Sequence, residues 1–135
     1  MNLKSVILVS FIGAALAACN KHAGDVDEPI PTATITITNP TDGAVYKNGD
    51  SIRIQGLAIA SANMHGYEVS IKNAADTSVV YFSQHIHDHN DTLQINQAWQ
   101  DTLTTATKLQ VQVLVVLDHD GHTASKTASA TTSPN

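Results

Sequence analysis

The sequence predicts an all-β protein, an antiparallel sandwich of about seven short strands, and three observations lead there. Apolar and polar residues alternate strictly in segment after segment between residues 33 and 131, with turn clusters separating the segments. No segment sustains a period near 3.6, so helices have no signal. Thr, Ser, Ala and Val are plentiful while charged residues make up only 14% of the chain, a balance that favours strands over surface helices.

The elements follow in order. Thr34-Ile35-Thr36-Ile37-Thr38 sends two isoleucines one way and threonines the other, as a half-buried strand does. Asn39-Pro40-Thr41-Asp42-Gly43 is a turn cluster, Val45-Tyr46 a short apolar stop, and Lys47-Asn48-Gly49-Asp50 a second turn. Residues 51–60 form the next strand. Its apolar set switches from Ile52/Ile54 to Leu57/Ile59 across Gly56, which predicts a bulge there. Tyr67, Val69 and Ile71 alternate with polar residues in a third strand, and residues 78–86 return as a fourth. Leu93 and Ile95 mark a fifth over residues 92–97, followed by one helical turn near residues 101–107, with Trp99 beside it plugging the end of the core. Leu109, Val111, Val113, Val115 and Leu117 share one face of the longest strand. Asp118-His119-Asp120-Gly121 then turns the chain into a last strand over residues 122–131, and residues 132–135 are expected to fray.

Size and charge narrow the function classes. A chain of 135 residues is one domain by default, and one cysteine cannot form an internal disulfide. Twelve acidic against seven basic residues give a formal charge of −5, which excludes the basic face that nucleic acid requires. No Gly-x-Ser-x-Gly, phosphate-cradling glycine loop or Cys-x-x-Cys is present, so the chain is read as a non-enzyme.

The N-terminus reads as an address. Lys4 precedes an apolar run from Val6 to Ala15, the length of a signal-peptide core and short for a membrane span. It ends in Leu16-Ala17-Ala18-Cys19, which resembles the lipobox of a bacterial lipoprotein signal. That resemblance implies cleavage after residue 18, acylation (palmitate included) of Cys19, and a mature chain held on a membrane leaflet by its lipids. Asn20 follows Cys19 where inner-membrane lipoproteins often carry Asp, so the expected address is the outer membrane of the cell envelope. Residues 19–32 are then the lipidated cysteine and a tether of acidic, Pro-ended composition, its segment from Asn20 to Pro31 spanning roughly 40 Å when fully extended.

Ile35 through Gly43 with Gly49-Asp50-Ser51-Ile52-Arg53-Ile54, and Val115 through Asp118 with Gly121-His122-Thr123, resemble bacterial Ig-like domains. These open on a Pro/Gly turn and a Gly-Asp strand entry and close with an Asp-x-x-Gly hairpin. The resemblance spans residues 33–131 and implies an Ig-like β-sandwich. Some Ig-like envelope lipoproteins of the Bacteroidota also carry a His-x-His pair after their third main strand, which His85-Ile86-His87 resembles.

Histidine is the unusual residue. Seven occur in the chain, three of them in His85-Ile86-His87-Asp88-His89. Residues i and i+2 of a strand share a face about 6.6–7 Å apart, so two imidazoles at that spacing can converge on one ion. Counting strand reversals brings three segments to the same end of the sandwich: the loop with His65, the run with His85, His87 and His89, and the hairpin with His119 and His122. Asp88, Asp91, Asp118 and Asp120 are candidate oxygen ligands there. Neutral imidazole with carboxylate suits Zn²⁺, Cu²⁺ or Ni²⁺. The leading expectation is therefore a membrane-anchored Ig-like lipoprotein that binds a divalent transition metal and serves envelope metal handling, with His85 and His87 as first ligands. The alternative is a non-catalytic interaction or adhesion module for an envelope protein or glycan. In that case Asp118 and Gly121 serve only their turn, and the histidines are solvated loop residues.

Overall fold

The structure is a computed structural model that describes residues 29–134. The lipobox, Cys19 and most of the tether lie outside the described residues. Eight strands are formed: β1 Ala33–Asn39, β2 Ala44–Lys47, β3 Ser51–Ala60, β4 Gly66–Asn73, β5 Val80–Ile86, β6 Thr92–Gln100, β7 Thr107–Val116 and β8 Thr123–Ser133. They build two sheets, β1-β3-β6 and β2-β8-β7-β4-β5, and no described residue is helical. The all-β sandwich expected from the alternation is what the chain adopts. β5 pairs with β4 and so joins the larger sheet.

Period-two patterning sorts the core. Leu109, Val111, Val113, Val115 and Leu117 are buried along one face of β7, against Val69 and Ile71 of β4 in the same sheet and Ile52, Ile54, Leu93 and Ile95 of the opposite sheet. Trp99 stacks on Tyr81 with ring centroids 6.2 Å apart. Both pack against the core, at the end away from the histidines.

Four local expectations differ from the structure. The short apolar stop is the strand β2, which pairs in parallel with β8 from Ala44↔Ala130 to Lys47↔Ser133. Its partner lies at the far end of the chain, where no local pattern reports it. The bulge expected at Gly56 lies instead on β1, where the β1–β3 register shifts between Ile37 and Asn39, while β3 runs against β6 without interruption. Ile52, Ile54 and Ala58 stay in phase on the inner face, and Leu57 and Ile59 point outward. Residues 101–106 form no helical turn. Buried Asp101 exchanges backbone hydrogen bonds with Gly49 and Asp50, and its Oδ1 accepts from the Leu103 N–H at 2.9 Å. Finally, β8 runs to Ser133, two residues into the segment expected to fray. Thr132 there is fully buried and paired to both Thr107 and Tyr46.

Candidate functional site

Three connections meet beyond the ends of β3, β5 and β7, and backbone hydrogen bonds tie them together. The Ala60 N–H donates to the Asp91 carbonyl and the Met64 N–H to that of Asn90, fastening the β3–β4 loop to the β5–β6 loop. The His65 N–H donates to the Val116 carbonyl, and the Leu117 N–H to that of His122. The Met64 side chain is fully buried in the core, so the loop carrying His65 is pinned from below as well as from its sides. Gly66 follows at φ +119°; a Cβ there would lie 2.1 Å from the Ile86 carbonyl oxygen and 3.1 Å from the His87 Cα. Glycine is therefore what lets β4 approach the strand that delivers His85 and His87.

His65, His85, His87, His89 and His119 line one small open cleft of about 360 Å³, together with Val116 and Asp118. The ring centroids of His65 and His119 are 3.9 Å apart, those of His65 and His89 5.0 Å, and those of His85 and His87 4.6 Å, all with steep interplanar angles. Two imidazoles on one tetrahedral ion, with Zn–N bonds of about 2.0–2.1 Å, place their centroids about 5 Å apart. Two of these pairs already stand near that separation; His65 and His119 are closer than it. Among the described residues, no three His, Cys, Asp or Glu side chains converge as metal ligands in the conformation shown.

His122 departs from the expected cluster. Its Nδ1 lies 2.6 Å from Asp118 Oδ2, and the ring faces a neighbouring groove formed with Pro29–Thr32, Ser61, Ala62 and Asp120. Asp118 Oδ1 accepts the backbone N–H groups of Asp120 and His122, both at 3.0 Å, and Gly121 takes φ +91°. The hairpin thus uses Asp118 and Gly121 as turn residues, and Asp118 also lines the histidine cleft. The other three expected oxygen donors are placed otherwise: Asp88 accepts a hydrogen bond from the Asn90 side chain, Asp91 fastens the loop through its backbone carbonyl, and Asp120 faces the His122 groove.

The electrostatics follow from this crowding. Partial burial and the neighbouring imidazoles of His119 and His89 hold the His65 pKa below its ordinary value, against the opposing pull of Asp118. For Asp118, burial pushes the pKa up. The hydrogen bonds from the His122 ring and backbone, the His122 charge and the Asp120 N–H outweigh that push, and the carboxyl sits below its usual range.

Sequence reasoning missed two contributors. Met64 is the buried anchor of the loop end, and its only sequence signal is an apolar residue inside a polar loop. Glu68 stands directly across the β4–β5 ladder from His85 and shares its face, a pairing that requires the strand register.

The described domain is thus a two-sheet β-sandwich that gathers five imidazoles at one loop end. No family model matches the chain, and no curated protein matches it. Among solved structures, it is similar to a chain from the fibronectin(III)-like modules of Clostridium thermocellum CbhA, at 20% identity and a TM-score of 0.46, over 74% of this chain and 96% of that one.

Proposed function

We propose that this chain is a lipid-anchored, non-catalytic envelope module whose histidine-lined loop end binds a divalent transition metal. The observation that carries the reading is the meeting of five imidazoles in one cleft, His85 from the end of β5 and the others from three separate connections, with the Asp118 carboxylate beside them. Imidazole nitrogen with carboxylate oxygen is a donor set for Zn²⁺, Cu²⁺ or Ni²⁺. The described chain enters the sandwich beside that end, where Pro29–Thr32 line the His122 groove, and a lipid anchor at Cys19 suits an accessory to metal uptake or resistance.

The test is calorimetric titration of the full chain, purified in detergent without a polyhistidine tag, with each of the three ions. Sub-micromolar binding that is lost on replacing His85, His87 and His89 together by Ala supports the reading. Weak binding shared by wild type and variant overturns it. A second reading, an interaction module, is favoured by Val79 and Val80, exposed side by side where the edge strand β5 begins. Replacing the clustered histidines then leaves partner binding intact.

A further inference from the structure

Five imidazoles exceed what one ion uses, since a closed tetrahedral site takes four protein donors and an open one three. Their ring contacts also divide by origin. His85 is the penultimate residue of the edge strand β5 and His87 the first residue after it, and their rings touch each other. His65, His89 and His119 come from three different connections, with the His65 ring in contact with both of the others. Each set has its own carboxylate. Glu68 shares a face with His85 across the β4–β5 ladder, while Asp118 lines the cleft beside His65 and His119 and belongs to the same hairpin as His119. Two dications so close need local anionic compensation; Asp118 supplies it from within the cleft, and Glu68 from beside it, where its Oε1 accepts from the Ser83 hydroxyl at 3.2 Å.

We propose, resting on the metal reading above, that the cleft holds two divalent transition-metal ions. One is bound by His65, His89 and His119 beside Asp118, and the other by His85 and His87 with Glu68. The first set is the three-imidazole site, left with an open position for water or a small anion. Loading it swings the His65 and His119 rings apart from their 3.9 Å contact towards the separation of about 5 Å that a shared ion imposes. The second set is built on one strand end and needs no loop rearrangement to bring its two imidazoles together.

Zn²⁺ titration of the untagged full chain in detergent, read by calorimetry and by native mass spectrometry, tests the division. Wild type is expected to take two equivalents. A His85→Ala/His87→Ala variant retains one, and a His65→Ala/His119→Ala variant retains the other. Glu68→Gln in the latter background weakens the remaining ion about 10-fold or more, as loss of a carboxylate partner does at metal sites. Should an Ala variant fail to fold, the His→Gln pair at the same positions replaces it. A single equivalent in wild type, abolished by either double variant, overturns the two-ion division and leaves one shared metal site standing. No bound equivalent in wild type removes the metal reading itself, and the division with it.

Discussion

Substituting Gly66 by Ala perturbs the one position where backbone conformation, strand packing and the candidate site meet. The residue holds φ +119°, which an L side chain rarely adopts, and its added Cβ would lie 2.1 Å from the Ile86 carbonyl oxygen. The φ strain costs about 1–3 kcal/mol. Forcing β4 and β5 apart adds an overpacking term of similar size, so the expected loss is about 2–6 kcal/mol. Against a typical domain stability of about 5–15 kcal/mol that is a large fraction. With a urea m-value of about 1–3 kcal/mol/M, it lowers the unfolding midpoint by about 1–3 M. Equilibrium urea unfolding followed by Trp99 fluorescence measures it. Gly121→Ala is the internal comparison, because φ there is +91° but nothing lies within 4 Å of an added Cβ. Only the backbone term of about 1–2 kcal/mol applies at that site. Equal midpoints for the two variants would refute the argument that the contact with Ile86, rather than φ alone, requires glycine at 66.

The remaining predictions are more local. Met64→Ala removes a fully buried side chain and is expected to destabilise by about 2–5 kcal/mol in the same assay, whereas Val45→Ala, 70% exposed, changes stability by under about 0.5 kcal/mol. Asp118→Asn weakens the hold on the His122 ring and on two backbone N–H groups, so amide exchange at Asp120 and His122 should accelerate; unchanged exchange would show that the turn does not depend on the charge. His65 has its pKa lowered from 6.5 by burial first and then by His119 and His89, so the unfolded chain binds the proton more readily than the folded one. That contribution to stability is complete above the ordinary value and is lost as pH falls below it. Melting temperatures of the metal-free protein between about pH 8 and about pH 5.5 should therefore drop, and His65→Gln should flatten the drop.

The core and the gathering of the loops were readable because they rest on strict local rules. Five inward residues on alternate positions of β7 leave one choice of face, and an antiparallel path returns every second connection to the same end. What was unreadable depends on partners distant in sequence. β2 is four residues long and becomes a strand only by pairing with β8. At Gly56 the apolar sequence suggested a change of phase, but uninterrupted pairing with β6 keeps Ile52, Ile54 and Ala58 inward and leaves Ile59 half exposed. His122 was expected among the others because the hairpin carries it to the right end. Its direction is set by a 2.6 Å contact with Asp118, a side-chain choice that topology does not determine.

A folded metal site differs from flexible chelation by a stretch of histidines, and heat distinguishes the two. His85, His87 and His89 lie within five residues, so even the unfolded chain presents them as ligands. His65 and His119 meet only when the β3–β4 loop and the β7–β8 hairpin are folded together, because their backbones are fastened through the Val116 carbonyl and the Leu117–His122 bond. A ligand that binds only the folded state at 100 times its dissociation constant stabilises by about 2.7 kcal/mol. For a domain of this size that corresponds to a rise in melting temperature of about 10–20 °C. Zn²⁺ should therefore raise the melting temperature of wild type by that order. The His65→Ala/His119→Ala variant should gain much less at equal saturation, since its remaining imidazoles all lie in the run that the unfolded chain also presents, and of its ligands only Glu68 depends on the fold. An equal gain in both proteins would mean that the metal is held by the local histidine run alone. The convergence of loops at this end of the sandwich would then have no part in binding.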